Sequence, residues 1–325
     1  MADARDTARP RPGPGGEAMS YLRLMRPAQW TKNLFLFAGL VFGLKLVDWV
    51  SVWHVLLGFA CFCLVSSGVY ILNDIRDRNE DRLHPTKRLR PLAAGTVSVP
   101  SAATLAILLL AVGLGAGFVL DRGFFIVAVA YVVLQTAYTF GLKHVALLDV
   151  ILIGAGFVLR AVAGAVLVHV EISHWLVLCT FTLCLFMGFS KRRCELSAMA
   201  DNSRSDLARH RKTLVIYTPE LLNHMTTLTA GIAVVSFMLY ATDKRTLDVF
   251  GTNYLVYTLP MVVYAIFRFA LLVEHGRVDG PTAVLLRDRP FQAALLLWGF
   301  AVLAVIYRGR ELRAWLVDLL HPSGP

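Results

Sequence analysis

Charge is scarce in this chain, and acid is scarcer than base. Only 17% of its 325 residues are charged, with 22 acidic residues against 32 lysines and arginines, a formal net charge of +10. Hydrophobic residues make up 57% and mean hydropathy is +0.61, whereas soluble domains average about 45–50% apolar even with glycine counted. That shortage of polar surface excludes a water-soluble globule. The uncharged runs are longer and more continuous than the roughly 9–11 alternating residues of a membrane barrel strand. They therefore read as transmembrane helices, in which the backbone satisfies its own hydrogen bonds. The first eighteen residues, MADARDTARPRPGPGGEA, hold no apolar core. This argues against a signal peptide and predicts a disordered segment over 1–18. There are five cysteines: Cys61, Cys63, Cys179, Cys184 and Cys194. Four lie in apolar runs, and the odd number and spacing exclude a disulfide framework or a zinc ribbon, leaving small hydrophobic fillers. The histidines are scattered, and no nucleophile–histidine–acid set stands out.

What is present is an all-α, polytopic pattern. Nine spans are expected, at about 34–50, 54–73, 102–120, 124–141, 146–168, 174–190, 225–241, 253–274 and 291–307. The first is the weakest, because Lys45 and Asp48 interrupt its end. A membrane domain then covers 19–310, and a short amphipathic tail occupies 311–325. Of the 32 basic residues, 23 fall in the N-terminal segment and in the loops after the second, fourth, sixth and eighth spans, and seven on the opposite side. The positive-inside rule puts the N-terminus in the cytoplasm and the C-terminus outside. The net charge is thus mostly a topology signal, and no nucleic acid is needed to explain it.

The second span ends in ILNDIRDRNEDRLHPTKRLRP, residues 71–91, with four acids and six bases. On a helix turning 100° per residue, with Asp74 at 0°, Asp77 falls at about −60° and Asp81 at about −20°. Asn73 lies beside them. Three carboxylates on one face destabilise an isolated helix, so positive charge must compensate. Hard oxygen ligands of this kind suit Mg2+, which usually binds one or two carboxylates plus substrate phosphates. The alternative is a solvated face on which Arg78 and Arg82 pair the acids.

The pattern Asn73-Asp74-x-x-Asp77-x-x-x-Asp81 resembles the N-D-x-x-D-x-x-x-D motif of the UbiA superfamily of intramembrane prenyltransferases. HPTKRLRPLAAG, from His84, resembles the segment that follows that motif in the superfamily. Together with nine spans, the resemblance extends over roughly residues 20–310. It implies helices around a central cavity open to the cytoplasmic side and to lipid, with Mg2+ held by Asp74, Asp77 and Asp81.

One departure is informative. Superfamily members carry a second acidic motif after the sixth span, for further Mg2+ on a prenyl diphosphate. Here the loop begins SKRRCEL, with Lys191, Arg192 and Arg193 at the membrane edge and Glu195 as the nearest acid; Asp201 and Asp206 lie further out. This exchange resembles one branch of the superfamily, the decaprenyl-phosphate phosphoribosyltransferases. LRLMRPAQWTKNLFLFAGLVF, with Arg26, Gln29, Trp30, Lys32 and Asn33, and YTFGLKHVALLDV are also similar to that branch. The branch resemblance implies that 5-phosphoribosyl 1-diphosphate is the donor and decaprenyl or another polyprenyl phosphate the acceptor. It also implies a plasma-membrane enzyme with a cytoplasmic active site, making a precursor for cell-wall arabinan. Whether it forms a homo-oligomer is left open.

Such a donor carries a diphosphate on C1, for the acids and Mg2+, and a separate 5-phosphate that needs its own bases. Candidates for phosphate binding are Lys32, Asn33, Lys87, Arg90, Tyr138, Lys143, Arg160, Lys191 and Arg192; arginine offers a bidentate fork and lysine a point charge. Asn73 is placed to bind a ribose hydroxyl or orient a carboxylate. Tyr138 also fits an interface anchor, and His84 a loop role. Asp149 and Arg160, about 20° apart on one helix face, line the cavity or pair structurally, and Arg268 and Glu274 are expected to pair with each other. Gly154, Gly156 and Gly164 fit close helix packing. Two other readings stand beside this one. A transferase joining a prenyl diphosphate to a small or aromatic acceptor is disfavoured by the missing second acidic motif. A transporter is disfavoured because charges gather at one face instead of the midplane.

Overall fold

The structure, a computed structural model, describes residues 14–84, 86–197, 212–275, 284–285 and 287–320, without the side chains of 14–15, 212 and 312–320. The chain is all-helical, with no strand among the described residues. Helix α1 (Pro14–Met25) is followed by a 3-10 run, Pro27–Phe37, and the short α2 (Ala38–Phe42). Then come α3 (Trp49–Leu83), α4 (Pro91–Ala94), α5 (Val99–Leu120), α6 (Arg122–Phe140), α7 (Leu148–Leu167) and α8 (His174–Ser197). The second half comprises α9 (Pro219–Thr242), α10 (Lys244–Phe250), α11 (Leu259–Glu274) and α12 (Arg289–Leu320). Residues 14–18 of the segment expected to be disordered are helical; residues 1–13 lie outside the described residues. Pro14 suits a first helical turn, where its missing N–H costs nothing. The tail expected after 310 continues α12 without a break to Leu320.

Local chemistry sets the helix ends. Asp48 caps α3, accepting from the amides of Val50 (3.1 Å) and Ser51 (3.5 Å). Asp121 caps α6 through Phe124 N at 2.7 Å, and Thr218 caps α9 through Leu221 N at 3.1 Å. At the other end of α3, His84 precedes Pro85, which disfavours the helical region for it, and His84 turns extended at φ −85°, ψ 136°.

Among the described residues, eight helical segments are long and apolar enough to cross a membrane, which makes this a multi-pass membrane protein. The expected first span, 34–50, is not among them. In its place the chain from Met25 to Asp48 runs antiparallel to the first half of α3. Met25 O accepts from Ser67 Oγ (2.9 Å), Trp30 Nε1 donates to the same hydroxyl (3.0 Å), Asn33 Nδ2 donates to Ser66 Oγ (3.2 Å), and Asp48 caps the far end. A 3-10 rise near 2.0 Å per residue lets this run cover ground that an α-helix would need more residues for. The cause is close packing. A Cβ on Gly164 would sit 1.8 Å from the Leu36 carbonyl, and one on Gly39 would sit 2.7 Å from Ala165 Cα. The backbones of the 3-10 run, α2 and α7 therefore touch, as the small residues of α7 predict.

Helix α3 is the central element. Its apolar window is 61% buried, against 17–44% for the others. It packs with α5, α6, α7 and the 3-10 run around Leu36, Leu40, Phe62, Phe124 and Leu167. Helices α8, α9, α11 and α12 form the other half, around Phe186, Ile266 and Phe269 and around Phe237, Leu255 and Val302. Exposed apolar side chains such as Ile107, Val119 and Phe300 present the outer surface to lipid. All five cysteines are free.

Candidate active site

The 35 residues of α3 make a rod of about 52 Å, well beyond the roughly 30 Å of a hydrocarbon core. The surplus carries Asn73, Asp74, Asp77 and Asp81. Asp74 and Asp81 are buried, and Asp77 is partly so. Each acid is met by a base from a different element. Arg26 pairs with Asp74 Oδ1. Arg90 Nη1 bridges Asp74 Oδ1 (3.2 Å) and Asp81 Oδ2 (2.7 Å). Lys143 Nζ, from the 3-10 turn Leu142–His144, pairs with Asp77 Oδ1. Asn73 Nδ2 donates to Asp77 Oδ2 (3.1 Å), and Asn73 Oδ1 accepts from Thr139 Oγ1 (3.2 Å).

Arg26 reaches Asp74 because the chain breaks there into the left-handed region, φ 55°, between α1 and the 3-10 run. A non-glycine residue at such a φ is strained, and such strain clusters at functional sites. Its guanidinium also stacks on Tyr70, 5.5 Å from the ring centroid. Arg78 and Arg82, expected as partners of the acids on the solvated-face reading, do not pair them. Arg78 Nε donates to Leu92 O and Arg82 Nε to Ala93 O, both at 3.3 Å. They pin the loop that delivers Arg90. His84 Nδ1 accepts from the amides of Thr86 (3.2 Å) and Lys87 (3.4 Å), the loop role foreseen for it.

Asp74, Asp77 and Asp81 were expected to hold Mg2+. Among the described residues no group of three such ligands converges on a metal position. Asp74 and Asp81 turn instead onto one Arg90 nitrogen, at 3.2 and 2.7 Å, and Asp77 turns onto Lys143. Asp74 and Asp77 are hard-oxygen groups of the kind of which Mg2+ usually takes one or two, and the Asn73 amide nitrogen lies on Asp77.

A second group lies deeper. Arg160 is buried; its Nε donates to Asn33 Oδ1 (2.9 Å), Nη1 to Gly156 O (2.8 Å) and Nη2 to Tyr131 OH (2.8 Å). Its charge faces the rings of Tyr131, Phe157 and Phe62 at 4.7, 5.3 and 5.8 Å. No carboxylate pairs with it among the described residues. Lys32, next to Asn33, lies in the combined field of Arg160, Lys191 and Arg26.

The third group corrects the sequence reading. Arg192, expected at the donor phosphates, is buried and held by Asp149 (Nε to Oδ2, 3.1 Å) and Glu195. Asp149, fully buried, also accepts from Tyr217 OH at 2.7 Å. Burial and that carboxylate push the Tyr217 phenol up to about 12. Asp149 and Arg160 thus go to separate partners, although one helix face carries both. Arg193 Nε donates to Asn223 Oδ1 (3.0 Å). Of the three consecutive bases, Lys191 is the one whose charge bears on Lys32. Arg268 pairs with Asp288 (2.7 Å) and not with Glu274, which lies 3.9 Å from Arg193. Tyr138 is half-buried. Lys87 sits in the turn under His84. The contributions of Tyr70, Tyr131 and Tyr217 carried no signal in the sequence.

Two apolar hollows border α7. One, of about 190 Å³, is lined by Gly43, Ala165, Leu176 and Phe250 at the end away from Asp74, beside the Arg245–Glu171 pair (2.9 Å). The other is an open groove walled by Leu134, Leu159 and Phe181. The acid face borders neither.

Long helices with paired acids at the end of a central span define an intramembrane transferase architecture, and comparison with known proteins agrees. The model of the UbiA prenyltransferase family matches residues 34–298. The chain belongs to that family. It is 36% identical over 314 residues to the decaprenyl-phosphate phosphoribosyltransferase of Mycolicibacterium smegmatis, covering 93% of this chain and 97% of that one. It is 35% identical to the protein so named in Corynebacterium glutamicum, over 90% of this chain and 89% of that one, and 34% identical to that of Mycobacterium tuberculosis, over 91% and 97%. Among solved structures, a UbiA homolog from Archaeoglobus fulgidus bound to GPP and Mg2+ superposes with a TM-score of 0.66 at 22% identity, over 88% of this chain and 99% of that one.

Proposed function

We propose that the protein transfers 5-phosphoribose from 5-phosphoribosyl 1-diphosphate to decaprenyl or another polyprenyl phosphate, giving a polyprenylphosphoryl 5-phosphoribose and diphosphate as a precursor for cell-wall arabinan. The observation that carries this reading is the full-length similarity to three relatives named for that activity. The layout of charge supports it. A ligand with two separated phosphate groups suits one acid-lined site and one basic site, whereas a prenyl diphosphate bears a single anionic head.

In the reaction the acceptor's phosphate oxygen bonds to C1 of the ribose as the bond from C1 to the diphosphate oxygen breaks, and the electron pair leaves with the diphosphate. A phosphate monoester has a second pKa of about 6, so the acceptor is already largely dianionic at neutral pH and needs no strong general base. This agrees with the lack of a nucleophile–histidine–acid set. Asp74 and Asp77 would hold Mg2+, which neutralises the leaving diphosphate when bound. Arg26, Arg90 and Lys143 hold those carboxylates in place and add positive charge beside the leaving group. Asn73, fixed by Thr139, offers its amide to a ribose hydroxyl, and positive charge developing at C1 is stabilised by the neighbouring carboxylates. The family's solved relative with bound Mg2+ supports the metal. The distribution of bases supports a plasma-membrane protein with the N-terminus and acid face on the cytoplasmic side and the C-terminus outside.

The test is direct. Purified protein with Mg2+, a polyprenyl phosphate and labelled 5-phosphoribosyl 1-diphosphate yields a lipid-extractable label and free diphosphate, and mild acid releases the sugar. A prenyl diphosphate with an aromatic acid yields no product. Reaction of the second mixture and not the first overturns the assignment and leaves the family membership intact.

A further inference from the structure

A strained backbone stands a few residues beyond the lysine that meets Asp77. Leu147 joins the Leu142–His144 turn to α7 and takes φ 70°, ψ −48°. That is near the γ-turn geometry with a positive central φ, which is rare and strained for a bulky side chain. Strain of this kind persists only where the surroundings over-determine it. At Leu147 the holding group is a phenol. Tyr217, 4% exposed, accepts from Leu147 N (2.7 Å) and donates to Asp149 Oδ1 (2.7 Å). Its oxygen links the strained residue to a buried carboxylate in the first turn of α7. The ring packs with Val150, Phe189 and Leu222, and Ala146 packs against the same cluster. Asp149 is held in turn by Arg192 Nε at 3.1 Å.

What this clamp carries is Lys143. His144 N donates to Gly141 O (3.0 Å), Val145 N to Leu142 O (3.2 Å) and Asp149 N to Val145 O (3.1 Å). Val150 N and Ile151 N both donate to Leu147 O, at 3.1 and 3.0 Å. The stretch 141–151 is therefore laced together by its own backbone, and Lys143 rides on it. Lys143 is buried, and its ammonium meets Asp77. A lysine stem is flexible, so the ammonium stays on Asp77 only while its backbone stands within reach.

We propose that Tyr217 is a positioning residue for the donor end of the site: its hydroxyl, clamped between Leu147 and Asp149, sets the turn that presents Lys143 to Asp77. Tyr217 acts through Lys143 and not on the substrate. The inference rests on the transfer reaction proposed above, in which Lys143 adds positive charge beside the leaving diphosphate. It ties the segment that returns after α8 to the acid face of α3 by way of the turn before α7.

Tyr217→Phe tests this. It removes one oxygen, keeps the ring in its cluster and leaves Asp149 its arginine, so the fold should hold. Lys143 reactivity is read by competitive acetylation with acetic anhydride and mass spectrometry on the detergent-purified protein, with the exposed Lys244 as reference. Loss of the hydrogen bonds of one neutral hydroxyl predicts a roughly 2–10-fold rise in Lys143 labelling relative to Lys244. The kcat/KM for 5-phosphoribosyl 1-diphosphate falls by a similar factor of roughly 2–10, while the KM for polyprenyl phosphate stays within about twofold. In a Lys143→Met background the same change lowers the donor kcat/KM by less than about twofold further, because its route to the site is already gone. Unchanged Lys143 labelling overturns the proposal, and so does a Tyr217→Phe loss that multiplies in full with that of Lys143→Met. Wild-type protein that transfers nothing from 5-phosphoribosyl 1-diphosphate, while Tyr217→Phe still exposes Lys143 to acetylation, overturns the reaction and supports the positioning role.

Discussion

Lys191 and Arg192 are neighbours in sequence and should fail in opposite ways. Arg192 is 2% exposed and Asp149 is 0% exposed, and they are joined at 3.1 Å, so the usual solvent discount on an ion pair does not apply. Arg192→Met leaves Asp149 charged in a closed site without its guanidinium, with the Tyr217 and Thr213 hydroxyls still donating to it. Breaking one side of a buried pair costs about 3–5 kcal/mol; partly exposed Glu195 adds little. Asp149→Asn, which keeps an oxygen for Tyr217, should cost a similar amount, and the double variant should fall short of the sum by about 2 kcal/mol or more, since the second change removes a charge already stranded. Chemical unfolding of the protein in lipid nanodiscs, followed by near-UV circular dichroism, measures all four corners of the cycle. The double variant, if active, should show donor and acceptor KM values near those of the wild type. Should Arg192→Met keep wild-type stability and raise the donor KM instead, the assignment of Arg192 to the scaffold is wrong.

Asp74→Asn and Asp77→Asn should each abolish most transfer while the protein still inserts in the membrane, and EDTA should do the same reversibly with Mg2+; near-normal rates in either variant would sink the metal assignment. Arg90→Met strands Asp81 and should lower stability by about 1–3 kcal/mol, less than the buried-pair figure because Arg90 is partly exposed, as read by the same unfolding assay. Gly164→Ala drives a Cβ into the Leu36 carbonyl and should cost about 1–3 kcal/mol or more; intact stability would contradict the close approach of α7 to the 3-10 run. Introduced cysteines should report topology, with Arg88→Cys labelled from the cytoplasmic side and Val47→Cys and Arg122→Cys from outside.

The acid face was legible in the sequence because a helix repeats every 3.6 residues and side-chain angles follow from counting. The partners were only partly so. Arg90 and Lys143 were named as phosphate ligands, but which acid each would meet depends on where three separate segments return to α3, and spacing along the chain does not carry that. Arg192 misled because position at a membrane edge cannot tell a base that faces a ligand from one folded back onto Asp149. The first span differs in its backbone, a 3-10 run and a short α-helix in place of one long helix. Hydropathy registers that residues 34–50 are apolar and not whether their backbone is α or 3-10, a choice made here by the contact of Leu36 with Gly164. Glycine in α7 announced close packing without saying what would approach.

The bases that hold α3's carboxylates come from both sides of it in the chain, and this has a consequence for biogenesis. Arg26 precedes Asp74 by 48 residues and Arg90 follows it by 16, but Lys143 comes 66 residues after Asp77. At about 5–20 residues per second of synthesis, Asp77 waits roughly 3–13 seconds longer for its counter-ion than a locally paired acid would. Through that interval the end of α3 carries charge its own helix does not balance, and on the proposed orientation it stays at the cytoplasmic surface with water as its partner. The charges proposed to serve substrate thus also mark, during insertion, how far this helix can be drawn into the bilayer.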